Sequence, residues 1–193
     1  MTRIATALAA LALLFATLPT STALAAEKPD TGEAAEGAAA DCERVTVGKL
    51  IEDRASGTPV VQLLTKGGER AVPIYIGEAE AAAIFRYQHE IEAPRPLTHD
   101  LVAAVVEKFG GKITRVTVTS LRNETFYAEI EVTTKTGKLS IDARPSDSIA
   151  LAIKTGCPVY VARPVLEKAA RPAGKLEPDG DGVPGVVDPK DAI

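Results

Sequence analysis

The stretch IDARPSDSIALAIKTGCPVYV, Ile141–Val161, decides the fold. Leu139 and Ile141 alternate with Ser140 and Asp142, so a strand ends near Asp142 with its apolar side chains toward the core and its polar ones away. Ser146 is expected to cap a helix that runs through Lys154 and stops at Gly156. Its body, Ile149-Ala150-Leu151-Ala152-Ile153, is apolar nearly all round, which predicts a buried helix. Pro158–Ala162 then reads as a strand.

Upstream, Thr125–Thr134 alternates cleanly, with Phe126, Ala128, Ile130 and Val132 on one face and Tyr127, Glu129 and Glu131 on the other. Lys112–Leu121 sets Val116 and Val118 against Thr117 and Thr119. Earlier strands are predicted over Glu43–Arg54, Val60–Lys66 and Arg70–Ile76, with a turn at Gly67-Gly68. Pro73 marks the third of these as an edge or an interrupted ladder. Glu78–Ile91 reads as an Ala-rich helix with acidic residues in its first turn. After the proline-broken APRPLTHD, Thr98 is placed to cap a second helix, with Asp100 favourable in its first turn. That helix carries Leu101, Val102, Val105, Val106 and Phe109 on one side and ends at Gly110-Gly111. A short helix, Pro164–Ala169, closes the series. The class is α+β: a mixed, largely antiparallel sheet with helices packed on it, in a single domain.

The ends have a different composition. Residues 1–25 carry a positive start, an apolar run over Ile4–Leu18 and small residues in STALAA, the pattern of a secretory signal peptide. The alternative is an uncleaved membrane anchor, against which the run is short for a span of roughly 20 residues; no later segment is long and apolar enough to cross a bilayer, so no membrane span is expected after cleavage. Residues 26–41, mostly Ala, Glu and Gly, are expected to form a flexible linker. The domain is placed at 42–170 and a disordered acidic tail at 171–193. In that tail Asp179, Asp181 and Asp188 sit among glycines, but the set lacks the spacing and the bidentate Glu of a calcium loop. Localisation is therefore expected to be exported, periplasmic or secreted.

The 193-residue chain has a net charge of −4. Residues 42–170 hold 17 Lys and Arg against 16 Asp and Glu, a net of +1. A near-neutral domain is not the strongly basic one that grips nucleic acid through phosphates alone. Cys42 and Cys157 allow one disulfide in an oxidising compartment, or two separate thiols.

Two polar joints stand at helix starts: Arg95, Thr98, His99 and Asp100 at one, Asp142, Arg144, Ser146 and Asp147 at the other. The plainest reading is structural: Thr98 and Ser146 cap, Asp100 and Asp147 are first-turn acids, and the arginines pair with them. His99 beside Asp100, and Asp142 just before a second acidic helix start, are less well explained that way. His89, near the end of the first helix, reads as an ordinary helix-end or surface residue.

The segments VPIYIGEAEAAAI, PRPLTHDLV, FYAEIEV and IDARPSDSIALAIKTGCPVYV resemble the signature segments of the bifunctional nuclease domain family, in order and across residues 42–170. The resemblance implies an α+β domain that forms homo-oligomers and acts on DNA and RNA. The export signal departs from it and leaves the physiological substrate open. The residues matching the polar motifs are Arg95, Thr98, His99, Asp100, Asp142, Arg144, Ser146 and Asp147.

Phosphodiester cleavage needs an activated water, charge relief on the phosphate and a stabilised leaving oxygen, which divalent metals supply. Asp142, Asp147 and Asp100 offer hard oxygen ligands suited to Mg²⁺ or Mn²⁺. His99 is the candidate general base. Arg144 and Arg95, with Ser146, are the candidate phosphate binders. These residues predict a metal-dependent nuclease with little sequence preference. A non-catalytic oligomeric binding module of the cell envelope, with the joints as subunit contacts or anchors for a small anion, is the competing expectation.

Overall fold

The computed structural model describes residues 41–173. The chain divides into two units, Met1–Asp30 and Thr31–Ile193, and all described residues belong to the second. The expected signal peptide, nearly all of the linker and the tail beyond residue 173, with its calcium-like aspartates, lie outside the described residues.

The elements run β1 (Cys42–Glu52), β2 (Pro59–Leu64), β3 (Arg70–Tyr75), α1 (Glu78–Gln88), α2 (Thr98–Lys108), β4 (Lys112–Arg122), β5 (Thr125–Thr134), β6 (Gly137–Ala143), α3 (Pro145–Thr155), β7 (Val159–Ala162), α4 (Arg163–Ala169) and β8 (Arg171–Pro172). The eight strands form one sheet in the order β6-β5-β4-β7-β1-β2-β3-β8. The pair β4–β7 is parallel and the other six are antiparallel. Helices pack on this sheet, so the described residues form an α+β single domain with a mixed, mostly antiparallel sheet.

The pleat explains the middle of the sheet. Ala128, Ile130 and Val132 of β5 are buried, as are Val116 and Val118 of β4 and Val159 and Val161 of β7 beside them. Glu129 and Glu131 take the other face. Helix α3 lies over β4 and β5 and against α1 and α2. Its Pro145, Ser146 and Ser148–Ala152 are all buried, as an apolar helix requires. Gly156, at φ 71°, closes it in the left-handed region that glycine adopts without strain. Pro73 of β3 sits where that strand's outer side has no strand partner among the described residues, because β8 reaches only Arg70 and Ala71.

Several expectations are corrected. The domain does not stop at Ala170: Arg171 and Pro172 pair with β3, and Arg70 donates to the carbonyls of Leu166 and Ala170 at 3.3 Å each. Helix α2 has no fully buried residue; Leu101, Val102, Val105 and Phe109 are exposed, Phe109 by 87%. Leu139 and Ile141 share the sheet face of Val132 and Ile130 but remain 54% and 45% exposed, because β6 is the sheet's edge. Neither expected cap operates. The cap position of α2 is Leu97, whose N–H donates to Asp100 Oδ2 at 3.0 Å, and that of α3 is Arg144.

The two cysteines are not joined in a disulfide. Cys42 pairs with Ala162 in the β1–β7 ladder, whereas Cys157 lies before Val159 at the other end of β7. At about 3.3 Å of rise per residue the two stand roughly 16 Å apart along the ladder. A disulfide spans about 4.4–6.8 Å between Cα atoms, so the possible Cys42–Cys157 bridge is not made.

Candidate functional site

The first turns of three helices meet at Asp147. Pro145 fixes the start of α3 and holds Arg144 extended just before it, at φ −66° and ψ 143°. From there the guanidinium folds back onto its own helix: Nε donates to Asp147 Oδ2 at 2.7 Å, and a terminal nitrogen donates to Oδ1 at 3.1 Å. That terminal nitrogen also donates to Glu80 Oε1 of α1 at 2.6 Å. His99, in the first turn of α2, adds its Nε2 at 3.1 Å from Asp147 Oδ1. The chain Glu80–Arg144–Asp147–His99 thus ties three helix starts together.

Exposure divides these groups by what they are able to meet. Glu80 and His99 are largely covered, Asp147 is partly so, and Arg144 is 66% exposed. Burial works to raise the pKa of Asp147, but hydrogen bonds from Arg144 and His99 outweigh it and hold the carboxyl below its usual range. The hydrogen bond with Asp147, then that with Glu80, raises the pKa of Arg144. The cluster is therefore a charged Arg–carboxylate pair with an imidazole beside it and a guanidinium facing solvent.

Asp100 belongs elsewhere. Its carboxylate accepts from Lys154 Nζ at 2.9 Å, Leu97 N and Tyr87 Oη at 3.0 Å, and Arg86 at 3.1 Å. Burial pushes its pKa up, yet these donors together pull it well below the ordinary carboxylate value. Asp100, Lys154, Tyr87 and Arg86 line a cleft of about 520 Å³ that also includes Arg95. Arg95 is exposed there, beside the Asp100 cluster.

Asp142 is in register with Glu129 on β6. Both point away from the helix-covered face, to which Ile130 and its neighbour Ile141 turn. Asp142 and Asp147 therefore lie on opposite sides of the sheet. Ser146 is buried in α3 and does not present itself to solvent. His89 stacks on Phe85, with ring centroids 4.0 Å apart, and its Nδ1 lies 2.9 Å from the Phe85 carbonyl, in keeping with a helix-end residue.

The three carboxylates expected to share a divalent ion do not fit one. Asp142 is across the sheet, Asp100 is saturated by donors, and Asp147 is engaged by Arg144 and His99. Among the described residues no group of three or more His, Cys, Asp or Glu is gathered to hold a metal. Glu80 is the participant that sequence reasoning missed. An acid in the first turn of a helix is too common to signal a role, although Gly77 hints at crowding: a Cβ there would lie 2.5 Å from Glu80 Oε2.

The chain matches the bifunctional nuclease domain family over residues 61–173, which spans Glu80, His99, Arg144 and Asp147. It belongs to that family. An uncharacterized protein of Mycobacterium tuberculosis is 40% identical over 133 residues, covering 69% of this chain and 76% of that one. Bifunctional nuclease 1 of Oryza sativa subsp. indica is 23% identical over 116 residues, 58% of this chain and 35% of that protein. Bifunctional nuclease 2 of Arabidopsis thaliana is 26% identical over 117 residues, 59% and 36% respectively. This member of the bifunctional nuclease domain family thus spans about a third of those plant proteins. The matched region begins inside β2, so β1 lies outside it while α1, α2 and α3, which build the site, lie within it.

Proposed function

We propose that this domain is a nuclease that hydrolyses phosphodiester bonds of DNA and RNA, with little sequence preference, at the Glu80–Arg144–Asp147–His99 cluster. The supporting observation is the His99–Asp147 hydrogen bond beside an exposed arginine. With Nε2–H donated to Asp147, the neutral imidazole keeps its lone pair on Nδ1. Nδ1 then takes a proton from the attacking water as its oxygen bonds to phosphorus. The leaving oxygen departs as the P–O bond breaks and takes a proton from the imidazolium or from solvent. Arg144 reaches into solvent to meet the phosphate charge, and Glu80 and Asp147 fix its fork. The near-neutral domain charge fits weak, unspecific contact with the polymer rather than a tight grip.

The signal-like residues 1–25 support a periplasmic or secreted enzyme. Amino-terminal sequencing of the protein recovered from a cell fraction tests this, with a mature chain starting at Ala26 or close to it as the expected result.

One observation favours the binding module instead: the carboxylates are already satisfied by Arg144 and His99, as in a structural ion-pair network. Cleavage of labelled DNA and RNA by the purified chain separates the readings, with Mg²⁺, Mn²⁺ or EDTA and with His99→Ala prepared identically. A rate that falls about 10²–10⁴-fold in His99→Ala supports the nuclease. Equal cleavage by both proteins means a contaminant or a site elsewhere, and no cleavage in any condition leaves the module. Loss of cleavage in EDTA, restored by Mg²⁺ or Mn²⁺, would make the enzyme metal-dependent.

A further inference from the structure

The cleft around Asp100 holds more donors than acceptors. An ionised carboxylate offers about four lone-pair sites. Those of Asp100 are all taken: Lys154 Nζ and Tyr87 Oη bond to Oδ1, and Leu97 N and Arg86 to Oδ2. Donors are left over. Lys154 spends one of its three protons on Asp100 and its side chain is 42% exposed. The Nε of Arg86 is buried and has no partner among the described residues. Arg95, exposed on the same cleft, makes no hydrogen bond or ion pair among the described residues.

Glu90 and Glu92 also line the cleft, but neither carboxylate bonds to any of these donors. With them the charge sums to zero: Arg86, Arg95 and Lys154 against Glu90, Glu92 and Asp100. No strong field therefore draws a free anion in. What the cleft offers is placed N–H groups for an acceptor that is brought to it. A fork-shaped guanidinium beside an ammonium suits a phosphate delivered on a longer molecule.

The cleft is aligned with the Glu80–Arg144–Asp147–His99 cluster. Asp147 and Lys154 stand seven residues apart on α3, two turns, so they share one side of the helix about 10 Å apart along its axis. Helix α2 sends a residue to each: His99 to Asp147 and Asp100 to Lys154. One strand of a duplex carries a phosphate every ~3.4 Å of axis, so about 10 Å is roughly three nucleotide steps, and fewer in an extended single strand. An exposed arginine waits at each end of that span, Arg144 and Arg95.

We propose that the Arg95–Lys154 cleft grips a second, unreacting phosphate of the nucleic-acid strand, about two or three nucleotides from the phosphate at Arg144. The identity of this ligand rests on the nuclease reading; the surplus of donors does not.

The test is binding of a labelled thymidine octanucleotide to the full chain, read by fluorescence anisotropy over a series of salt concentrations. Three proteins are compared, all carrying His99→Ala to keep the strand whole: that background alone, with Arg95→Ala, and with Lys135→Ala. Lys135, in the turn between β5 and β6, removes the same charge elsewhere. Arg95 makes no bond in the fold, so its replacement leaves the domain intact. Arg95→Ala is expected to weaken binding about two- to fivefold, the range of an exposed ionic contact. It should also lower the slope of log Kd against log salt by about 0.7, the share of one phosphate of a single strand. Lys135→Ala should change neither. No detectable binding, equal effects of the two substitutions, or a loss of affinity with an unchanged slope each overturns the grip. Cleavage by the native chain is scored apart from this. If Arg95→Ala weakens binding as expected but nothing is cut, the nuclease reading falls and the phosphate grip stands; if His99-dependent cleavage is seen while Arg95→Ala behaves like Lys135→Ala, the grip alone falls.

Discussion

His99 Nε2 lies 3.1 Å from Asp147 Oδ1, joining the first turn of α2 to the first turn of α3 across 48 positions of sequence. The same carboxylate holds Arg144, so one side chain sets both an imidazole tautomer and a guanidinium orientation. Asp142, five positions before Asp147, shares none of this because the pleat turns it to the other side of the sheet.

Asp147→Asn should therefore cost far more activity than Asp142→Asn. The amide keeps the shape but gives up the charge that holds Arg144 and favours the Nε2–H form of His99. A fall in kcat of about 10²–10⁴-fold is expected for Asp147→Asn, the size of a lost acid–base contribution. Asp142→Asn should remain at least tenfold more active than Asp147→Asn. Initial rates on a labelled oligonucleotide decide it, and equal losses would return Asp142 to the site.

Gly77 and Glu80 give a gentler probe. Gly77 has φ −76°, which alanine adopts freely, but its Cβ would lie 2.5 Å from Glu80 Oε2. The carboxylate is the end of a flexible side chain, so it moves and the fold survives. Arg144 then loses one of its two anchors. The pair is exposed on the arginine side and worth about 0.2–1 kcal/mol, or up to about fivefold in KM. Gly77→Ala and Glu80→Gln should both raise KM by about two- to fivefold with little change in Tm. An unchanged KM in both would mean that Glu80 does not orient Arg144 for substrate.

How much of this was legible depended on whether the signal was local. The alternation of β5 and the all-apolar body of α3 are period-two and uniform patterns, and both were buried as expected. The apolar side of α2 was equally visible, yet periodicity says only that a face exists, not what covers it; here the domain covers it only in part, at Val106, and leaves Leu101, Val102, Val105 and Phe109 exposed. The outward direction of Asp142 was also readable from Leu139 and Ile141, and it already argued against grouping Asp142 with Asp147. The His99–Asp147 contact was not readable, since it depends on how three helices pack. Glu80 was hidden because acids are ordinary in first turns.

The thiols give a test of the β1–β7 register. Burial raises the pKa of both Cys42 and Cys157 and slows their reaction at mild pH. Thiol titration of the unreduced native chain should find two slow-reacting thiols, and a reductant should leave Tm unchanged. A drop in Tm on reduction, with no free thiol beforehand, would mean a bridge and a different register.

Asp100 makes the strongest prediction about pH. Its carboxylate is mostly buried among Lys154, Leu97, Tyr87 and Arg86, and its pKa is held well below normal by their hydrogen bonds against the pull of burial. A depressed folded pKa means that the unfolded chain binds the proton more readily, so stability falls as pH falls. The contribution is complete above the unfolded value, about 3.9 for aspartate, and disappears as pH drops through the lower folded value. Asp100→Asn removes the charge while Lys154 and Arg86 stay partly covered, so a loss of about 3 kcal/mol is expected at pH 7. Because Asn cannot titrate, the difference between native and variant isolates this one group from every other carboxyl in the domain. Urea denaturation should show a constant gap at neutral pH and a gap that narrows below about pH 4, where aspartate begins to protonate in the unfolded chain. A gap that holds steady through the acid range would mean that Asp100 stabilises the fold by shape alone, without its charge.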